Sequence, residues 1–270
     1  MSIFEYLHRH RKLLVLAASG LAVSVLIGIA YFRKPEASPE KILSGVYSKF
    51  DEKHKCWIGA DEDGQLYCMR LDRFDRISTS NGERLYVIAV GEAVDEQGEP
   101  NGAHVTSGAV GAFVVQIHSG KSELVAGEAT IQVGAMGVAP AKWNFVKLGS
   151  DDYWGWLNTW GDCHQGSCGQ RYSILAPRGK KVVDLAGFVS EADDTGSCGD
   201  VECEKQSSSL TTSLKISDKA NGAKVYSLFV TVRGKDHGKP LKEKTWMLPF
   251  DRKSWHYVEP KDWPLNDRDF

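Results

Sequence analysis

The chain is 270 residues long, with 33 Lys and Arg against 35 Asp and Glu; five of those cations but only one acid lie in residues 1–34, leaving 28 − 34 = −6 for the remainder. That balance argues against a nucleic-acid binder, which needs a basic face to replace the counterions on phosphate, and against a polybasic membrane-surface patch. The 27 glycines follow no collagen-like period and fit a turn-rich β protein.

Residues 1–12 include Arg9, Arg11 and Lys12, and the next twenty residues, Leu13 to Phe32, carry no charge. About twenty apolar residues cross a hydrocarbon core as a helix. No other stretch approaches that length without a charge, so the sequence predicts one transmembrane crossing over 13–32. The three cations before the run, against Arg33 and Lys34 after it, predict a cytoplasmic N-terminus and an exported C-terminal part. Cleavage after Ala30 competes, because Gly28-Ile29-Ala30 is a small-x-small site. The apolar run nevertheless continues through Tyr31 and Phe32, longer than the roughly 7–15 residues of a signal-peptide core, and is read as a retained signal anchor. The first cysteine, Cys56, is too distant for a lipoprotein. No Asn-x-Ser/Thr sequon occurs, which favours a bacterial envelope over a eukaryotic lumen. The expected location is a bacterial inner membrane, single-pass, with the C-terminal domain in the periplasm.

Residues 33–50 are expected to form a juxtamembrane linker and a short helix. Ser38-Pro39-Glu40 supplies a capping hydroxyl, a first-turn proline and an acid against the dipole. Ile42, Val46 and Phe50, with Tyr47 beside them, give that helix one apolar face for packing on the domain. From residue 51 to 270 the helical period disappears. Expected strands are Gln65 to Arg70, Arg84 to Gly91, Ala112 to His118, Glu123 to Glu128, Trp143 to Leu148, Tyr153 to Thr159, Arg171 to Ala176, Val182 to Val189, Leu210 to Ile216, Val225 to Arg233 and Thr245 to Phe250. So many short strands between turn signals predict a mostly β sandwich or barrel-like exported domain. Gly149 to Asp152 is the best place for an internal boundary, with a single continuous domain the equal alternative. Ser190 to Ser209 is the longest stretch without a structural pattern.

All six cysteines follow the membrane segment, in local pairs: Cys56 with Cys68, Cys163 with Cys168, Cys198 with Cys203. An even count on the oxidising side of a membrane predicts disulfides. Cys56 and Cys68 flank the turn Asp61-Glu62-Asp63-Gly64 and can face each other across a hairpin. The competing reading is zinc, held by Cys163, Cys168, Cys198 and Cys203 with His164 nearby. An oxidising compartment disfavours it.

Trp154, Trp156 and Trp160 share a parity and would line one face of a strand; inward alternation favours core between two sheets, with an aromatic binding platform the competing reading. Beside them lies Gly161-Asp162-Cys163-His164-Gln165-Gly166-Ser167-Cys168. The candidate binding residues are therefore Trp154, Trp156, Trp160 and His164. Cys168-Gly169-Gln170-Arg171 faintly resembles the Gly-Cys-x-Arg run of cysteine transpeptidases acting on the cell wall. The histidine and serine pattern that accompanies it in that family is absent, and Cys168 has a disulfide partner at hand. Ser119-Gly120-Lys121-Ser122 resembles the end of a phosphate loop, but Val115 stands where the first glycine belongs, so a hairpin turn is expected. Asp61, Asp63 and Gly64, and Asp193, Asp194 and Asp200, echo calcium loops without the full ligand set, and turn carboxylates are expected. His104, His118, His237 and His256 have no metal-ligand spacing. No catalytic residue, metal or cofactor is therefore assigned.

The leading expectation is a membrane-anchored periplasmic binding or interaction module without catalytic activity, such as an immunity protein or an accessory subunit of an envelope complex. Its acidic exported part favours a basic protein partner. The alternative is an envelope enzyme acting on or binding cell-wall glycan or peptide through the Trp154–Cys168 region.

Overall fold

A computed structural model of the chain describes residues 37–217 and 224–266. The transmembrane span expected at 13–32 lies outside the described residues. Among those described, no helix is long and apolar enough to cross a membrane.

Helix α1 (Pro39–Val46) is followed by a six-stranded antiparallel meander: β1 (Lys49–Asp51), β2 (Cys56–Ala60), β3 (Leu66–Thr79), β4 (Gly82–Val94), β5 (Gly108–His118) and β6 (Lys121–Val133). Alternation explains why β4 reads as a continuous apolar run. Leu85, Val87 and Ala89 point to one face, where Leu43 and Tyr47 pack with Met69 and Phe113. Tyr86 and Ile88 point to the other, where Val110, Val114 and Ala126 meet Trp156, Leu175 and Val182 of the second sheet. A strand buried on both faces needs no polar alternation.

The helix stops at Val46, not near residue 50 as the spacing of Ile42, Val46 and Phe50 suggests. Tyr47 closes the last turn through its N–H to the Leu43 carbonyl (2.8 Å), and its ring then inserts into the sheet. The Tyr47 hydroxyl donates to the Ala129 carbonyl at 2.7 Å. Ala129 lies in an irregular stretch of β6, where the register with β5 shifts between Val110/Ile131 and Ala112/Glu128. Gly111 leaves the space: a Cβ there would lie 2.0 Å from the Tyr47 hydroxyl. Phe50 instead enters β1, 40% exposed, with its ring edge-on to Trp57.

The second sheet contains β7 (Asn144–Lys147), β8 (Trp154–His164), β9 (Ser167–Arg178), β10 (Lys181–Asp184), β11 (Val189–Asp193), β12 (Ser209–Ile216), β13 (Leu228–Asp236) and β14 (Lys239–Leu248). Its order is β14-β13-β12-β11-β9-β8-β7, with β10 also pairing β9. A ribbon of β15 (Phe250–Asp251) and β16 (His256–Tyr257) follows. Trp246, Tyr257 and Trp263 join Leu210, Val230 and Leu248 in a core on the face of this sheet away from the first.

Neither sheet closes on itself, so the barrel reading gives way to two open sheets sharing one core. The first does curl: Gln132 Nε2 on β6 donates to Asp61 Oδ2 beside β2 (3.0 Å), and Thr130 Oγ1 to the Ala60 carbonyl (3.3 Å). Edge strand β14 carries Lys239, Pro240, Lys242 and Lys244, which discourage pairing with another chain. Residues 149–152 form the turn between β7 and β8, and Gly149 bridges to Val225.

Two expected segments are resolved differently. The expected strand Val182 to Val189 is split between β10 and β11, which take successive parts of one edge of β9. The stretch Ser190 to Ser209 contains most of β11, a single 3-10 turn (Thr195–Ser197) and helix α2 (Val201–Gln206).

Candidate functional site

The β8–β9 hairpin pairs Trp156 with Leu175, Trp160 with Arg171, Cys163 with Cys168 and His164 with Ser167. Gln165 and Gly166 between them both have positive φ, as a tight hairpin turn requires. The Trp residues face the core between the sheets. Trp156 is fully buried against Tyr86, at 5.7 Å between centroids. Trp154 is half-buried and stacks on Phe145 at 5.0 Å and 8°. Trp160, also half-buried, donates its indole N–H to Ser173 Oγ at 3.2 Å. The buried indole N–H groups of Trp154 and Trp156 find no acceptor among the described residues. These two side chains fill space rather than order a polar network.

His164 is exposed at the hairpin tip and meets a residue that sequence spacing did not connect to it. His104, in the β4–β5 connection, lies edge-on to His164 with centroids 5.5 Å apart. Its Nδ1 is 3.3 Å from Asp162 Oδ2 and its Nε2 is 3.2 Å from the Cys163 carbonyl. The three groups gather where several strand connections end. Antiparallel pairing puts the β8–β9 turn, the β11–β12 connection and the β13–β14 turn at the same end of the second sheet.

That end is held by short-range chemistry. Disulfides join Cys163 to Cys168 and Cys198 to Cys203, and the third joins Cys56 to Cys68 across the β2–β3 hairpin. The local pairs expected from sequence are the pairs formed, so the four thiols of the zinc reading, and the nucleophile reading of Cys168, are taken up in bridges. Gly166 abuts Gly196 so closely that a Cβ on Gly166 would lie 2.3 Å from the Gly196 carbonyl. The aspartates that echo a calcium loop are turn and cap acceptors. Asp193 accepts from Thr195 and Ser209, Asp194 from the Ser208 N–H, and Asp200 caps α2 through the Cys203 N–H. The Thr195 hydroxyl in particular holds the Asp193 carboxyl below its usual range. Asp61 similarly accepts from the Asp63 and Gln65 N–H groups, the Tyr67 hydroxyl and Gln132. No group of three or more His, Cys, Asp or Glu among the described residues could hold a metal ion.

Two clefts open at this end. One, of about 390 Å³, lies over the Cys163–Cys168 bridge and is lined also by Thr159, Asp162, Gln170 and Glu191. The other, of about 610 Å³, lies between α2 and the β13–β14 turn, lined by Val201, Glu204, Lys205 and Lys235. No family model, curated protein or solved structure matches this chain. The site therefore stands on its own chemistry.

Of the sequence candidates, Trp160 lines the first cleft, His164 stands at the tip and Trp156 is internal. Gln170, Glu191 and His104 were not selected from sequence. Asp162 has a usable signal, since it shares the parity of Trp160 and His164 on β8. His104 and Glu191 have none, because their proximity is created by pairing across the fold. A second polar group also went unseen: His54 Nδ1 lies 2.8 Å from Asp51 Oδ2, with Glu99 3.6 Å from Nε2. The His54 side chain, then its backbone N–H, hold the Asp51 carboxyl down at about 2.

Proposed function

We propose that this protein is a membrane-anchored, periplasmic binding module of a bacterial inner membrane. In this reading residues 13–32 are the single-pass anchor, and the disulfide-stapled, sandwich-like domain engages a protein partner without catalysis. An immunity protein or an accessory subunit of an envelope complex fits that description. The observation that carries the reading is the convergence of three strand connections at one end of the second sheet, two of them fixed by disulfides around adjacent clefts. Loops ordered before contact lose little conformational entropy on binding, which is what a recognition surface requires.

The His104–Asp162 contact beside His164 supports a second reading, an envelope enzyme acting on cell-wall glycan or peptide, because a histidine oriented by a carboxylate is one part of a general-base arrangement. The two readings separate on the full chain in its membrane. A photo-crosslinking residue at Gln165, on the hairpin tip, is expected to capture one stoichiometric protein partner. The same residue at Lys180, at the other end of β9, is expected to capture none. Equal capture from both, or retention on isolated cell wall with activity lost in His104→Ala and His164→Ala, would overturn the module in favour of the enzyme. Release of the chain by alkaline carbonate would overturn the anchor.

A further inference from the structure

Resting on the membrane anchor of the reading above, we propose that the outer side of α1 and the aromatic pair beside it lie on the phospholipid bilayer that carries the chain, with the Phe50 and Trp57 rings among the headgroups. Phe50 and Trp57 stand opposite one another on β1 and β2, their rings edge to face with centroids 5.0 Å apart. Phe50 is exposed and Trp57 is half-buried. The Trp57 indole N–H donates to Ser44 Oγ at 3.1 Å, which joins the pair to α1. Ile42, Leu43 and Val46 turn the apolar side of that helix onto the core of the first sheet. Its exposed residues include Lys41, Ser44 and Gly45, with Ser48 just beyond it. Short side chains there leave the rings as the bulky apolar groups of this surface. Aromatic rings favour the membrane–water boundary, where an apolar body and a polar edge each find their medium.

The path of the chain says what covers the pair. Seven residue steps separate Phe32, the end of the expected span, from Pro39. At about 3.5 Å each they hold the start of α1 within about 25 Å of that end. So short a tether sets a high effective concentration of this surface at the bilayer, and two rings too weak to bind lipid on their own can then stay docked. The other exposed phenylalanines, Phe74 and Phe229, come much later in the chain. Charge agrees with the orientation. Residues 37–60 carry four cations (Lys41, Lys49, Lys53 and Lys55) against three acids (Glu40, Asp51 and Glu52), whereas the exported part as a whole is at −6. An anionic leaflet repels most of such a domain and repels this surface least.

The test uses the full chain in nanodiscs of phosphatidylethanolamine and phosphatidylglycerol, with p-benzoylphenylalanine in place of Phe50 or, as the control, of Phe229 on β13 of the second sheet. Irradiation is expected to attach phospholipid severalfold more from position 50 than from position 229, read by intact-mass spectrometry. Trp57→Ser should lower the lipid adduct from position 50 severalfold, and Trp57→Phe, which keeps a ring, should retain most of it. Near-ultraviolet circular dichroism verifies that each variant is folded. Equal labelling from the two positions, no lipid adduct from position 50, or an adduct undiminished in Trp57→Ser would overturn the proposal. So would a protein adduct, in place of lipid, from position 50 in native membranes. A chain that alkaline carbonate leaves in the membrane, but whose position 50 takes no lipid, would lose this inference alone. Release by carbonate would remove the anchor and, with it, the tether on which this inference rests.

Discussion

The hydroxyl of Tyr47 reaches a carbonyl in the irregular stretch of β6 because Gly111, on the neighbouring strand, has no side chain to stop it. Tyr47→Phe should cost about 1–2 kcal/mol in urea unfolding, the loss of one largely buried hydrogen bond. Gly111→Ala should cost about 1–3 kcal/mol by overpacking. The double variant should be less destabilised than the sum, since the clash is with the oxygen that phenylalanine lacks; strict additivity would refute the assigned contact. Gly166 is a second position with no room. Its φ is 85°, a conformation open to glycine, with the Gly196 backbone against it. Gly166→Ala should separate the hairpin tip from the Thr195–Ser197 turn, seen as faster amide exchange in both loops with β8 and β9 still protected.

Helix α2 shows what a disulfide does for an element too small to hold itself. It has six residues, none of them buried, far short of the length at which an isolated helix persists in water. What holds it is the Asp200 cap, the Cys198–Cys203 bridge and the Lys235 ammonium on the Glu204 carbonyl (2.8 Å). The double variant Cys198→Ser/Cys203→Ser should lose amide protection over 201–206, while the global unfolding free energy falls by no more than the roughly 2 kcal/mol that closing so short a loop supplies. A global collapse would show that this loop is part of the core. The same element marks the limit of what the sequence discloses. Strands β4, β5, β9 and β13 are legible from apolar runs between turn residues, because their burial is dictated locally by alternation. Helix α2 has no apolar face to announce it, and β11 is short and acidic, so both look like loop. Trp156 is placed on a strand by parity and favoured for the core by inward alternation, and its full burial against Tyr86 agrees. Glu191 and His104 reach the cleft through pairings and connections far apart in the chain, and no local pattern encodes those.

At the scale of the whole molecule, titration should leave a stability plateau with two slopes. Asp51 and Asp251 sit in similar four-residue hairpin loops. Asp51 is held at about 2 chiefly by the His54 side chain and Asp251 at about 2 chiefly by the Ser254 hydroxyl. A carboxyl lowered on folding contributes above its unfolded value and loses that contribution as pH falls, so stability should decline from about pH 4 toward pH 2. The buried tyrosines act in the opposite sense. Burial pushes Tyr67 and Tyr153 up to about 12, and Tyr47 and Tyr257 further still. Their contribution is complete below about pH 10 and is lost as the unfolded chain ionises above it. Urea midpoints measured from pH 2 to 12 should therefore be steady in the middle and fall at both ends. Asp51→Asn should flatten part of the acid slope and leave the alkaline one unchanged.

The three bridges close in strict succession, their partners 12, 5 and 5 positions apart, and no later cysteine reaches back to an earlier one. If the domain is exported amino-end first, as proposed above, each thiol meets its own partner before the next pair arrives. Wrong pairings would require a thiol to wait, and none has to. Maturation then needs an oxidant and no reshuffling, so cells lacking disulfide isomerase activity should accumulate the same oxidised protein as those that have it, whereas cells lacking the oxidase should not.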